Sequence, residues 1–178
     1  FYYGWFKWPR MVSLTPNNYS LFILQSSMIV LISMDIYKSE AEATIMDWLL
    51  KRVGAENFTP GLERISPLFA PIVKSYQQKK MKVVTIAGSN GKGESAHALA
   101  HLLRRDGIGY TMWTSPHILT IRERFQSSKG HISYSELSSE LHSSYQLACA
   151  EGIDLSFYEL LFFSFCRWSL KMESEWTI

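Results

Sequence analysis

The sequence is poor in cysteine and has little excess charge of either sign. Two of its 178 residues are cysteines, Cys149 and Cys166, too few for a disulfide framework or a cysteine-based metal cluster, which fits a reducing cytosol. The 18 Lys and Arg nearly balance the 16 Asp and Glu, and they form no basic block. Because nucleic-acid binders depend on basic surfaces, that class is disfavoured. We expect a globular, cytoplasmic, monomeric protein that binds neither nucleic acid nor a membrane.

Residues 1–33 lack both a regular pattern and an apolar run long enough to cross a bilayer. They hold eight aromatic residues and two charges, and we find no helical or strand period in them. The mostly apolar stretch 19–33 is 15 residues long, whereas a transmembrane helix needs about twenty. Met34 opens the first well-patterned segment. We therefore interpret residues 1–33 as an upstream extension of a domain spanning 34–178, with a membrane anchor as the alternative.

Hydroxyl–carboxylate pairs three residues apart predict where three helices begin. Segments 39–42, 133–136 and 156–159 each carry a serine followed three residues later by a glutamate, the pattern of a capping box. The first two helices are expected to end at Gly54 and Gly152. The third is almost wholly apolar, so we expect it to lie buried against a sheet.

A strand, a turn, a helix and a second strand are predicted between residues 83 and 113. The β-branched segment 83–87 is bounded by glycine, as expected of a buried parallel strand, and 110–113 is a second short strand. The helix between them spans 95–105. This order makes a βαβ unit and predicts an α/β fold with a parallel sheet and flanking helices. A helix at 67–77, a hairpin at 124–133 and a strand beginning at Glu175 complete the expected elements.

The segment Gly88–Ser95 joins the predicted strand to the predicted helix. Such a junction points backbone N–H groups at the helix start, where they can bind phosphate oxygens. Its three glycines leave room for a phosphate, and Lys92 adds a positive charge. The strict G-x-x-x-x-G-K-[ST] pattern fails at Ile86 and Gly93, which disfavours a general P-loop kinase or GTPase. A glycine-rich turn with an incidental lysine is the alternative.

The segment Thr114–Ile118 follows the second strand. Because the carboxyl ends of parallel strands meet at one edge of a sheet, Ser115 is expected to face the same crevice as the glycine-rich turn. Its hydroxyl oxygen suits a hard cation. A loop in which Pro116 simply ends the strand is an equally good interpretation.

Five elements, in this order, resemble the folylpolyglutamate synthase/dihydrofolate synthase family of the Mur ligase superfamily. Gly61–Ile65 matches its G-L-x-R-[IV] loop, and Gly88–Glu94 resembles its G-T-N-G-K-G-[ST] loop. Thr114–Ile118 matches T-S-P-H-[LI], and Thr120–Phe125 keeps the Glu-Arg pair of R-x-N-E-R-[IV]. Tyr158-Glu159 matches the aromatic–Glu pair at a helix start.

The resemblance implies an ATP-dependent ligase of folate biosynthesis and one-carbon metabolism. ATP would phosphorylate a carboxylate of folate or dihydropteroate, and the amine of L-glutamate would then attack the acyl phosphate to form an amide. The implied fold is an incomplete Mur-ligase-like ATP-binding domain. The implied cofactors are ATP and Mg²⁺.

The resemblance also implies a role for each matched residue. Lys92 is implied to be catalytic; Gly88, Ser89, Asn90, Gly91, Lys92, Gly93, Glu94 and Ser95 to hold ATP; Ser115 and Glu159 to bind Mg²⁺; and Gly61, Leu62, Arg64, Ser115, Pro116 and His117 to contact the substrate. Glu94 stands where the family has a hydroxyl; a carboxylate there could bind Mg²⁺ directly, but it would also repel a triphosphate. Glu159 is also the third helical residue of a capping box, a role that needs no metal.

The family continues with a glycine-rich E-V-G-L-G-G-R stretch and a C-terminal domain. We therefore expect residues 34–178 to be the N-terminal part of the ATP-binding domain, inactive in ligation by itself. A Mur-type cell-wall ligase and a non-catalytic nucleotide-binding module are the alternatives. The 61–65 loop and the glycine after Lys92 favour the folate branch, because cell-wall ligases usually place Ser or Thr at that position.

Overall fold

The structure is a computed structural model that describes residues 12–13, 19–24, 28–33, 39–54 and 61–178. It divides the chain into two units, residues 1–39 and 40–178. The predicted start at Met34 lies outside the described residues, and the predicted division at 33/34 stays a prediction. No helix in the described part of the chain has the length and apolarity that crossing a membrane requires.

The first unit contains a three-stranded antiparallel sheet. Its strands are β1 (Val12–Ser13), β2 (Tyr19–Leu24) and β3 (Met28–Ser33), in the order β1-β2-β3. These strands form although residues 1–33 show no strand period in the sequence. Apolar residues fill successive positions of β2 and β3, which hides the period of two that identifies a half-buried strand.

The second unit alternates helices and short strands. Its elements are α1 (Glu40–Val53), α2 (Ser66–Gln78), β4 (Lys82–Val83), α3 (Lys92–Arg105), β5 (Tyr110–Met112), a 3₁₀ helix (Ile121–Arg124), β6 (Gln126–Ser127), β7 (Gly130–His131), α4 (Tyr134–Ala150), α5 (Phe157–Lys171) and β8 (Trp176–Thr177). The predicted helices, the hairpin and the strand after Glu175 are confirmed within a few residues. The capping boxes that open α4 and α5 are confirmed as well.

The five strands of this unit form one sheet in the order β4-β8-β5-β6-β7. β4, β8 and β5 are parallel, and the β6–β7 hairpin extends β5 in antiparallel fashion. β4–α3–β5 is thus a βαβ unit with β8 between its two strands. The parallel sheet expected from the sequence is therefore correct for three strands and extended by two antiparallel ones.

The expectation that residues 83–87 form a buried strand is wrong. Only Lys82 and Val83 pair as a strand, and Val83 is 56% exposed. β4 lies at the edge of the described sheet and has β8 as its one neighbour there. The chain then keeps a backbone hydrogen bond from Val84 N to Thr177 O, 2.8 Å, before it turns toward the glycine-rich segment. In a central strand these β-branched side chains would be buried, whereas at the edge of the sheet they stay exposed.

α5 is buried, as its apolar composition predicts, but mostly by helices. It contacts α1, α2 and α4, and Leu160 and Leu161 are fully buried. Its sheet-side contacts run through Trp113, the residue after β5, whose ring lies 5.6 Å from that of Phe162 and 5.5 Å from that of Phe165. The core of the unit is therefore a four-helix cluster that reaches the end of β5.

A second, smaller core lies between α3 and β5. Ala96, Ala100 and Leu103 of α3 pack with Tyr110 and Met112 of the strand. Thr111, between them in sequence, points to the other face, because side chains alternate along a strand. It is fully buried, and its hydroxyl lies 3.1 Å from that of Thr177. β5 is thus covered on both faces, and α3 has a fixed position above it.

Glu42 in α1 holds the following elements together. Its side chain is buried, and the carboxylate accepts hydrogen bonds from Ile121 N and Tyr134 Oη, both at 2.8 Å. Burial raises the pKa of this carboxyl, but these hydrogen bonds outweigh burial and hold the pKa below its ordinary value. The glutamate that the sequence marks as a capping residue therefore also ties α1 to the 3₁₀ helix and α4.

Glu123 closes the loop after β5. Its carboxylate accepts hydrogen bonds from the backbone N–H groups of Ile118, Leu119 and Thr120, at 2.7, 2.8 and 2.9 Å. Burial raises the pKa of Glu123, yet the three hydrogen bonds prevail and hold it below its ordinary value. The ionised carboxylate thus shapes the segment that carries Ser115.

We predict that Leu160→Ala lowers the free energy of unfolding by about 2–5 kcal/mol, because it leaves a cavity among the helices. The matched control is Leu147→Ala on α4, where the leucine is 44% exposed and the loss should stay under about 1 kcal/mol. Urea denaturation of the three proteins measures both values. Equal losses would contradict the burial of α5.

We predict that Glu123→Gln destabilises the protein by about 1–3 kcal/mol at pH 7, because the three N–H groups lose a charged acceptor. A carboxyl whose pKa is lowered by folding stabilises above its unfolded pKa, and that stability disappears as the pH falls through the folded pKa. The difference between wild type and variant should therefore shrink below about pH 4. Thermal unfolding between pH 3 and 7 measures it, with the exposed Glu151→Gln as control; a difference independent of pH contradicts this assignment.

Candidate functional site

The glycine loop, residues 88–91, leads from the end of β4 into α3. Gly91 precedes the helix with φ +74°, in the left-handed region that favours glycine. It has no side chain to cap the first N–H groups of α3, and the first intrahelical hydrogen bond runs from Ser95 N to Gly91 O, 3.0 Å. Residues 88–95 are all exposed. The start of a 14-residue helix is therefore open to an anion.

Lys92 is the first residue of α3 and folds back over the glycine loop. Its ammonium donates to Gly88 O at 2.6 Å and lies 3.4 Å from Ser89 O. The positive charge is thus held beside the open helix start, on a side chain that remains exposed. Both features favour a negatively charged ligand at the same place, since the helix dipole and the ammonium have the same sign there.

A cavity of about 370 Å³ adjoins this loop. Lys92 and Gly93 line one side of it, and Thr114 and Ser115, which follow β5, line another. The structure therefore brings the lysine of the glycine loop and Ser115 to one cavity near the carboxyl ends of the parallel strands, where open α/β sheets bind ligands.

Aromatic side chains also line this cavity. Trp113, Tyr158 and Phe162 belong to it, and Trp113 Nε1 donates to Tyr158 Oη at 3.2 Å. The Trp113 and Tyr158 rings meet edge to face, with centroids 5.7 Å apart. The cavity is thus lined by a lysine and hydroxyl groups together with aromatic side chains.

Arg124 holds the loop after Ser115 in place through His117. This arginine is buried, lies about 6 Å from the rings of Trp113 and Phe157, and donates Nε–H to His117 Nδ1 at 2.9 Å. Pro116 is exposed at the surface of the loop. Sequence analysis found no role for His117 apart from the resemblance; the structure shows it held by a buried cation.

The loop Gly61–Ile65 is fastened to the start of α5. Gly61 and Leu62 are exposed, Leu62 to 77%. Arg64 donates from Nη2 to both carboxylate oxygens of Glu159, at 2.7 and 2.8 Å, and from Nη1 to Asp154 O. The resemblance assigns Arg64 to the substrate and Glu159 to the metal. In the structure these two side chains are hydrogen-bonded to each other.

Glu159 is fully engaged by protein groups. Besides Arg64 it accepts a hydrogen bond from Ser156 N at 2.8 Å, which completes the capping box. Burial raises the pKa of its carboxyl, but the hydrogen bonds from Arg64 and Ser156 outweigh burial and hold the pKa below its ordinary value. Its side chain does not line the cavity that contains Ser115.

A divalent cation does not fit this donor set as it stands. Ser115 offers an exposed hydroxyl at the cavity, whereas the charge of Glu159 is already neutralised by Arg64. Within residues 39–54 and 61–178, no three His, Cys, Asp or Glu side chains lie together in the manner of a metal site. The assignment of Ser115 and Glu159 to a metal stays a prediction.

Two of the interactions that shape the site were not predicted from the sequence. Thr120 and Glu123 form a capping box for the 3₁₀ helix, with the serine- or threonine-to-glutamate spacing that identified the other helix starts, so the signal was present. The Arg64–Glu159 pair joins residues 95 positions apart, and no local pattern reports it.

Known proteins support the resemblance seen in the motifs. No family model matches the chain. A probable bifunctional folylpolyglutamate synthase/dihydropteroate synthase of Halobacterium salinarum is 38% identical over 85 residues, 48% of this chain and 10% of that protein. A dihydrofolate synthase/folylpolyglutamate synthase of Bacillus subtilis is 35% identical over 65 residues, 36% of this chain and 15% of that protein. The matched part thus spans a small share of these relatives.

Solved structures are similar over a larger part of the chain. A bifunctional folylpolyglutamate synthase/dihydrofolate synthase from Yersinia pestis, complexed with AMPPNP and Mn, matches with a TM-score of 0.63 and 26% identity over 79% of this chain and 33% of that one. A folylpolyglutamate synthase from Thermotoga maritima shares the fold, with a TM-score of 0.63, 24% identity, and 77% and 32% coverage. The predicted α/β fold and the resemblance are thereby confirmed: the chain is similar to a part of known folylpolyglutamate synthases and dihydrofolate synthases.

Proposed function

We propose that the second unit of this chain is the nucleotide-binding part of an ATP-dependent ligase that adds L-glutamate to a folate or dihydropteroate carboxylate. The observation that carries this proposal is the open start of α3. Gly91 leaves its first N–H groups uncapped, and Lys92 is held over the glycine loop beside them. Polyphosphate oxygens are the ligands that such N–H groups and an ammonium bind together.

The relatives support this choice of nucleotide and amino acid. A bifunctional synthase that is 26% identical to this chain was solved with Mn, AMPPNP and L-glutamate bound. The relatives described above are named as folate enzymes, which favours the folate branch over a cell-wall ligase. The proposal covers ligand binding by this chain. The inactivity of the chain by itself in ligation, its cytoplasmic location and its monomeric state stay predictions.

The proposed chemistry proceeds in two transfers. A carboxylate oxygen of the folate substrate attacks the γ-phosphorus of ATP, which gives an acyl phosphate and ADP. The amine of glutamate then attacks the acyl carbon, phosphate leaves, and an amide forms with loss of a proton. The first step needs charge neutralisation more than covalent participation by the protein. We assign that role to Lys92 and to the N–H groups of residues 91–94, which precede the first intrahelical hydrogen bond of α3.

The remaining assignments follow from position. We propose that Ser89, Asn90 and Ser95 complete the phosphate site, and that Ser115, Pro116 and His117 approach the reacting carboxylate from the other side of the cavity. Gly61, Leu62 and Arg64 are proposed to border the folate substrate. A divalent cation would shield phosphate charge when bound. Ser115 is the oxygen donor that the cavity offers for it, and Mg²⁺ is the proposed ion.

We predict that Lys92→Met weakens ADP binding roughly tenfold to hundredfold, because one charged hydrogen bond to phosphate is worth about 1.5–3 kcal/mol. Isothermal titration calorimetry measures the affinity, and Lys129→Met, an exposed lysine in the β6–β7 turn, serves as the matched control. A wild-type chain without ADP affinity, or equal affinities of the two variants, contradicts the proposed site.

We predict that Glu94→Ser strengthens ADP binding several-fold. Glu94 lies exposed in the first turn of α3, where its negative charge adds to that of a phosphate in the loop, and repulsion between nearby exposed charges is about 1 kcal/mol. The same titration in low and high salt should show the gain shrinking as salt screens the charge. Glu151→Ser, at the far end of α4, is the control; an unchanged or weaker affinity of Glu94→Ser overturns this reasoning.

A further inference from the structure

Three aromatic side chains that line the cavity beside the glycine loop are only partly covered by the protein. Trp113 and Phe162 are half-buried, and Tyr158 is 44% exposed. Phe125, whose ring contacts that of Trp113 from the core, is fully buried by comparison. Aromatic rings gain from contact with the face or edge of another ring. The cavity therefore offers aromatic surface that the ring of a ligand can cover.

The positions of these three rings are fixed by contacts among themselves. Trp113 meets Tyr158 and Phe162 edge to face, with centroids 5.7 and 5.6 Å apart, and Trp113 Nε1 donates to Tyr158 Oη at 3.2 Å. The rings of Tyr158 and Phe162 lie nearly parallel, with 17° between their planes. Because the three rings are already ordered, a ligand ring can bind without the cost of ordering them.

The same cavity favours a negative charge close to these rings. Among the described residues that line it, Lys92 has the one charged side chain, and the Ser115 hydroxyl lies at the same cavity. An anion is therefore favoured over a cation. Ser115 follows Trp113 by two residues, so their Cα atoms are at most about 7 Å apart. The aromatic surface and the polar groups are thus separated by a short distance.

We propose that this cavity is a subsite for an aromatic carboxylate, whose ring packs against Trp113, Tyr158 and Phe162 and whose carboxylate is bound by Lys92 and Ser115. A carboxylate bonded directly to a ring spans the short separation with a single rotatable bond. A carboxylate on a flexible chain loses more conformational freedom when it binds.

The inference rests on the proposed function, in which a carboxylate reacts beside Lys92, and it narrows the choice of substrate. In dihydropteroate the reacting carboxylate is bonded directly to a benzene ring. In folate it lies at the end of the glutamate chain. The subsite therefore favours the dihydropteroate class.

Three small probes test the subsite on the 178-residue chain without nucleotide, and saturation-transfer NMR measures their affinities. 4-Aminobenzoate should bind at least threefold more tightly than 4-aminohippurate, which has the same ring but carries its carboxylate on a flexible chain. It should also bind more tightly than the uncharged 4-aminobenzamide. Lys92→Met should remove the preference for the benzoate over the benzamide. A preference that survives this substitution overturns the assignment of the carboxylate to Lys92.

Substitution of an aromatic residue tests the ring contact. Tyr158→Leu should weaken 4-aminobenzoate binding about threefold to tenfold, whereas Tyr158→Phe keeps the ring and should retain most of the affinity. The matched control is Tyr145→Leu on α4, a half-buried tyrosine outside this cavity whose ring lies 5.6 Å from that of Trp48. Equal losses in the two leucine variants, or a loss in Tyr158→Phe as large as in Tyr158→Leu, contradict the ring contact.

The remaining outcomes separate this inference from the nucleotide site. 4-Aminohippurate that binds as tightly as 4-aminobenzoate overturns the choice of a ring-bonded carboxylate. Failure of the wild-type chain to bind 4-aminobenzoate overturns the subsite altogether. ADP titration of the same sample then shows whether the proposed nucleotide site stands, because ADP binding does not require the aromatic surface.

Discussion

The burial of α5 is the constraint on which the rest of the second unit depends. This helix contacts α1, α2 and α4, and its aromatic side chains reach Trp113 at the end of β5. α5 thus fixes the aromatic side chains that line the cavity. It also fixes the position of Glu159, which lies in the first turn of this helix. The hydrophobic effect drives this packing, because it removes the apolar surface of the fully buried leucines of α5 from water.

Around that core, charged side chains hold most of the loops of the site in place through hydrogen bonds. Glu123 gathers three N–H groups of the loop after β5, Arg124 holds His117, and Arg64 fastens the loop at residue 61 to α5. The glycine loop differs from them because its N–H groups are left without a side-chain cap and its lysine lies over it. Loops of the first kind are shaped by hydrogen bonds to their own side chains, whereas the start of α3 has no side-chain cap, a feature that the proposed function uses.

Some of the architecture was predictable from the sequence. The serine–glutamate spacings located the starts of α4 and α5, and glycine with a preceding β-branched run located the turn before α3. These signals depend on residues a few positions apart, so they can be recognised without knowing how the rest of the chain packs. The β2–β3 pairing was missed because successive apolar residues carry no period, and residues 83–87 were assigned to a buried strand because sequence does not report which strand lies at an edge.

The sequence by itself determined the compact glycine–lysine segment, the α/β order of elements and the resemblance to folate ligases. Each of these depends on residues that are close together along the chain. The sequence also led us to expect Ser115 at the crevice of the glycine loop, and the structure has Lys92 and Ser115 at one cavity. Only the tertiary structure decided that Arg64 pairs with Glu159 across 95 positions. Contacts of that kind depend on how packed helices bring distant segments together, and the energy that fixes them comes from the whole core instead of from the local pattern.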